Sequence, residues 1–252
     1  MSKNIKRKNF APGALTAPLP PALVTVGDME SSNVITIGWT GILATVPPKT
    51  YISVRPSRYS YGILKERGEF VINLPSADMA RSVDFAGIYT GAKMDKFEKC
   101  GFIKAESNKV SAPTIAQCPV SIECKVCQVI PMGSHDVFMA DIVSVSCRED
   151  IIDSDGKMRF DKAGLLAYAH GEYYALGEKL GRFGFSTDKA KPENKNKPKA
   201  QKNLEKRDTP QVKAAKEPFY ASAPKTKSGT SPKKKKKNPD AGKPHGRRIK
   251  DK

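Results

Sequence analysis

Short runs of apolar and β-branched residues punctuate residues 22–148 of this chain. Residues 22–26, 33–40, 50–54 and 69–74 are rich in Val, Ile, Leu and Thr and read as strands. Residues 119–130 and 137–148 are longer runs of the same kind, joined by the tight connection Pro131-Met132-Gly133-Ser134-His135-Asp136. Gly27 and Asp28 supply turn chemistry between the first two strands, which predicts a hairpin. Pro47-Pro48 breaks the chain ahead of the third. Helical spacing is confined to 60–68, 76–87 and a last turn at 95–100 that Gly101 ends. Further turns are predicted at 153–156, and 168–176 is aromatic and dotted with glycine.

Many short strands with few helices predict a mainly β, barrel-like domain carrying some helices. The alternation of strand and helix expected of a doubly wound parallel sheet is absent. No G-x-G-x-x-G or P-loop follows a strand, which argues against the common dinucleotide and ATP folds. No internal repeat is visible.

Charge changes this picture only at one end. Residues 187–252 hold 22 Lys or Arg against 7 Asp or Glu, while residues 1–186 hold 22 against 19. Almost all of the formal +18 therefore belongs to the last quarter, which is poor in apolar residues and rich in Lys and Pro. Such a segment cannot bury enough surface to fold and is expected to be a disordered basic tail. We divide the chain into an N-terminal extension at 1–17, one domain at 18–186 and the tail at 187–252. No run approaches the roughly 18 apolar residues of a membrane span. Five cysteines without an export signal point to reduced thiols in a cytoplasm. Cys124-Lys125-Val126-Cys127 lies within a strand, where residues three apart face opposite ways, so it reads as ordinary buried cysteines and not as a redox or metal pair.

The most specific chemistry lies in Val54-Arg55-Pro56-Ser57-Arg58-Tyr59-Ser60-Tyr61, between a strand and a helix start. Arg presents a planar fork to phosphate oxygens, and the unpaired N–H groups of a helix start favour an anion. The alternative is that these side chains simply face water. Lys93 and Lys96, three apart in a helical turn, could add positive charge to the same site; a solvated helix start capped by Asp95 is the competing reading. His135, with Asp136 beside it, is a ligand candidate or a plain turn residue. His170 sits among Tyr168, Tyr173 and Tyr174, where aromatic packing is expected, and His245 makes no metal spacing with either. Asn33, Ile35, Ile37 and Trp39 share one face of their strand, while Val34, Thr36, Gly38 and Thr40 share the other. The small second face could receive a flat heteroaromatic ring or fill a barrel interior.

In order along the chain stand N-V-x-T-I-x-W at 33–39, S-V-R-P-S-R-Y-S at 53–60, F-V-I-N-L-P at 70–75, G-x-K-x-D-K-F at 91–97 and G-S-H-D at 133–136. This collinear set resembles the flavin reductase-like FMN-binding domain family, close to its flavoredoxin branch. One segment departs from the pattern, Gly87-Ile88-Tyr89-Thr90-Gly91, where the family often has a shorter, serine-bearing glycine turn. The resemblance implies a split β-barrel that forms a homodimer, with one FMN per subunit near the interface. It implies Ser53, Arg55, Ser57, Arg58, Tyr59 and Ser60 around the phosphate and ribityl chain, with Lys93 and Lys96 on the phosphate side. Asn33, Thr36, Trp39 and His135 would lie near the isoalloxazine ring. Hydride or electrons would pass from NAD(P)H or a protein donor through FMN, so no catalytic triad or metal set is needed. The alternative role of a different class is nonspecific nucleic-acid binding by the basic tail.

Overall fold

The first hairpin of the computed structural model, which describes residues 5–187, is buried on both faces. Strands β1 (Ala22–Gly27) and β2 (Ser32–Ile37) pair antiparallel. Their turn is built as its residues predict: Gly27 has φ +98°, and the Asp28 carboxylate accepts from the N–H groups of Glu30 and Ser31. Leu23 and Val34 join an outer apolar cluster, whereas Val24, Val26, Ile35 and Ile37 join an inner one.

The expected single strand over 33–40 is divided. Strand β2 stops at Ile37, and Thr40 donates its N–H back to the Gly38 carbonyl. The chain thus turns a corner at Gly38-Trp39 and opens a strand that the pattern did not reveal, β3 (Thr40–Thr45). A continuous β-branched run hides such a corner because glycine bends without changing the periodicity. Strand β3 pairs with β4 (Pro48–Val54), and its Ile42 and Leu43 remain exposed on the edge of the sheet.

Helix α1 (Tyr59–Arg67) follows and ends at Gly68, which adopts φ +65° and returns its N–H to the Leu64 carbonyl. Strand β5 (Glu69–Leu74) leads to a 3-10 turn (Ala77–Met79) and α2 (Ala80–Ile88). The short α3 (Lys96–Cys100) is capped by the Asp95 carboxylate, which accepts from the N–H groups of Phe97 and Glu98. Two-residue strands β6 (Lys104–Ala105) and β7 (Thr114–Ile115) precede the long pair β8 (Val120–Pro131) and β9 (Asp136–Cys147). A last hairpin joins β10 (Leu166–Ala169) to β11 (Glu172–Ala175).

The main sheet is antiparallel in the order β2-β1-β5-β8-β9-β4-β3. Two register shifts in the β8–β9 ribbon bend it. The inner cluster brings Ile35 and Ile37 of β2 together with Ile52 and Val54 of β4, although these strands lie towards opposite ends of the sheet order. The sheet is therefore curled into an open barrel. Leu64 of α1 joins that interior, while α2 and α3 cover the outer face through Val83, Ala86 and Phe97. Cys124 is buried in the barrel, but Cys127 is exposed, contrary to the expectation that both are buried. Their divergence follows from their positions on one strand. His170 also departs from expectation. It is an exposed turn residue at φ +49° between β10 and β11, and the aromatic contact is between Tyr168 and Tyr173, 5.4 Å apart.

Candidate ligand-binding clefts

Strand register brings three distant segments to one end of the barrel. Val54, the last residue of β4, pairs with Asp136, the first of β9, so Arg55 and His135 leave the sheet side by side. The connection between β4 and α1 is a turn closed by the Arg58 N–H on the Arg55 carbonyl at 3.0 Å. Arg58 is the N-cap residue of α1, and no side chain caps that helix. Arg55 and Arg58 take part in none of the ion pairs among the described residues.

Two adjoining clefts open here and share Ile35 and Arg58. The first, about 150 Å³, is lined by Thr36, Gly38, Trp39, Ser53, Arg55 and His135 as well. The second, about 70 Å³, is lined by Asn33, Ser57, Tyr59, Ser60, Tyr89, Thr90, Gly91 and Lys96. Backbone bonding holds the first wall: the Ser53 N–H donates to the Trp39 carbonyl at 2.9 Å, and the Thr36 hydroxyl donates to the Val83 carbonyl. In the second wall the Asn33 amide donates to the Ser60 hydroxyl at 2.7 Å across 27 residues of chain.

The clefts are cationic. Lys96 is 3 % exposed, and its ammonium donates to the carbonyls of Ala86 and Tyr89 at 2.8 and 3.2 Å. Burial pushes its pKa down to about 8; the neighbouring Cys100 acts the other way, and Arg58 adds to the depression. His135 Nδ1 lies 2.9 Å from the Ser134 hydroxyl. Its pKa is lowered by burial and then by the charges of Arg55 and Arg58, which favours the neutral imidazole. Asp136 is not a partner of that ring, since its carboxylate accepts the Tyr61 hydroxyl at 2.5 Å.

The expected residues thus divide by cleft. Thr36, Trp39, Ser53, Arg55 and His135 line the first, and Asn33, Ser57, Tyr59, Ser60 and Lys96 the second, with Arg58 common to both. Asn33 falls with the serines and Lys96, not with Trp39 and His135. Lys93 lines neither cleft: it is exposed in the turn before α3, so it does not share a helical face with Lys96. Tyr89, Thr90 and Gly91 were not expected to be cleft residues. The one sequence signal for them is Gly91, since a Cβ there would sit 2.2 Å from Asn33 Oδ1.

Comparison with known proteins accords with this geometry. The sequence profile of the flavin reductase like domain matches residues 15–177. The structure of flavoredoxin from Desulfovibrio vulgaris (Miyazaki F) aligns with a TM-score of 0.68 at 32 % identity, covering 73 % of this chain and all of that one. A flavoredoxin from Methanosarcina acetivorans aligns with a TM-score of 0.67 at 22 % identity, covering 72 % and 97 %, which speaks for the fold alone. An uncharacterized protein of Archaeoglobus fulgidus is 35 % identical over 129 residues, 51 % of this chain and 72 % of its own length. A curled antiparallel sheet with a cationic cleft at its open end is the split barrel of flavin-binding proteins. The chain belongs to the flavin reductase-like domain family. No helix among the described residues is long and apolar enough to cross a membrane. Residues 188–252, all but the first position of the expected tail at 187–252, and with them His245, lie outside the described residues.

Proposed function

We propose that this protein is an FMN-binding flavoprotein oxidoreductase. The observation that carries this reading is Arg58, a guanidinium with no carboxylate partner among the described residues, placed where the two clefts meet. Cations left unpaired beside an uncapped helix start fit a phosphate monoester. The buried ammonium of Lys96 fits it as well, because a buried charge without a counter-ion is costly.

On this reading Ser57, Arg58, Ser60 and Lys96 hold the phosphate in the second cleft, and Asn33 fixes the Ser60 hydroxyl. Thr36, Trp39, Ser53 and His135 receive the ring end in the first, where Arg55 supplies a second positive charge. FMN, once bound, supplies the hydride and electron chemistry. The protein's part is to orient, to exclude water with Trp39, and to bias charge with Arg55 and a neutral His135. NAD(P)H or a protein partner serves as donor. A homodimer is favoured by the apolar residues exposed on and beside edge strand β3, namely Trp39, Ile42, Leu43 and Val46, next to the first cleft. Five free thiols suit a reducing cytoplasm.

The test is direct. Purified protein should show flavin absorbance or take up added FMN, and NADH or NADPH under argon should bleach the bound flavin if the donor is a nicotinamide. Bleaching only by a protein donor would assign electron transfer. A colourless protein that takes up no FMN would sink the proposal.

A further inference from the structure

Lys96 carries more than a contact to an anion. Its ammonium donates to the Ala86 and Tyr89 carbonyls at the C-terminal end of α2, which suits a cation and occupies two of its three hydrogens. Neither carbonyl neutralises the charge. The charged or ionisable groups that act on it are Cys100 on α3 and Arg58 at the cap of α1; Tyr59 and Tyr89 line the same cleft, and the Asp95 carboxylate is taken up by the N–H groups of Phe97 and Glu98. No carboxylate pairs with Lys96 among the described residues. The fold therefore keeps a buried lysine that has no counter-ion of its own. An anion in the second cleft would supply one.

We infer that Lys96 takes up a proton from solvent when a phosphomonoester enters the second cleft, so that binding there is proton-linked on the alkaline side of neutrality. This rests on the reading that FMN places its phosphate in that cleft. The free amine gains one proton and one charge, and no other bond changes. The depression of Lys96 to about 8 in the ligand-free protein sets the window. Burial raises the Cys100 thiol above its ordinary value of 9.0, which keeps it protonated through most of this window. A phosphomonoester has lost its second proton by roughly pH 7, and His135 is lowered from its ordinary value of 6.5.

Calorimetric titration of the full chain with FMN at pH 9, in two buffers of different ionisation enthalpy, should give an uptake approaching one proton per FMN. Affinity should weaken about tenfold between pH 8 and pH 9.5. Lys96→Arg stays charged throughout, so whatever FMN affinity it retains should show neither the proton uptake nor the loss of affinity with rising pH. Lysine ¹³Cε NMR of the wild-type protein gives a measurement that needs no variant. The Lys96 resonance should titrate at higher pH when inorganic phosphate is added, even without flavin. Binding of FMN with no proton uptake, or the same uptake by Lys96→Arg, would overturn the inference and leave the FMN reading intact. Absence of FMN binding together with an unmoved Lys96 resonance in phosphate would remove both.

Discussion

Gly91 and Asn33 stand so close that one added methyl group would disturb the wall of the second cleft. An alanine Cβ at position 91 would lie 2.2 Å from Asn33 Oδ1 and 2.7 Å from its Cγ. The Asn33 amide would have to leave the Ser60 hydroxyl, which lies 2.7 Å away on the wall of the second cleft. Loss of that buried hydrogen bond costs roughly 1–3 kcal/mol, so Gly91→Ala should bind FMN about tenfold or more weakly and melt at a lower temperature. Gly62→Ala is the matched control, because nothing lies within 4 Å of a Cβ there. In the interior of α1 it should stabilise by about 0.5–1 kcal/mol. Fluorescence titration and thermal melts of both variants check this, and equal FMN affinities would refute it.

At the scale of elements, polar side chains on the interior strands β5 and β8 hold the backbone of the loop around residues 108–115. Glu123 on β8 is 1 % exposed, and its two oxygens accept the N–H groups of Asn108 and Lys109 at 3.0 and 2.5 Å. Glu69 on β5 accepts the Ser111 N–H in the same loop. Asn73, fully buried on β5, accepts from the Ile115 N–H and the Ser121 hydroxyl and donates to the Leu23 carbonyl, tying β1, β7 and β8 together. A glutamine at 123 offers one acceptor oxygen where two N–H groups need one each. Glu123→Gln should therefore lose roughly 1–3 kcal/mol, seen as a lower urea midpoint. Faster hydrogen exchange at Asn108 or Lys109 should accompany it. An unchanged midpoint would mean that water satisfies this loop. These polar anchors lie away from the clefts, so FMN affinity per folded molecule should not change.

For the whole molecule, positive charge is concentrated at one end of the sequence. Residues 1–186 are nearly balanced, with 22 Lys or Arg against 19 Asp or Glu, whereas 187–252 carry 22 against 7. Nonspecific nucleic-acid binding should reside in the second part. A gel shift with duplex DNA should appear for the full chain at low salt and fade steeply as salt rises, because each neutralised phosphate releases counter-ion. A chain ending at Ser186 should bind FMN equally well and shift no DNA. Equal shifts by both chains would dismiss the tail as the cause.

The local features of this protein were legible in its residues. Short apolar and β-branched runs marked most strands, Asp95 marked the start of α3, Gly68 and Gly101 marked helix ends, and the Arg/Ser corner stood out between a strand and a helix. Each depends on neighbours a few positions away, which sequence displays. Partner choice depends on register and curl. Only the tertiary structure divided 33–40 at Gly38, set Asn33 against Ser60 and Gly91, buried Lys96 while leaving Lys93 in water, and exposed Cys127. Periodicity says which face a side chain occupies; the closing of the sheet says what lies opposite it.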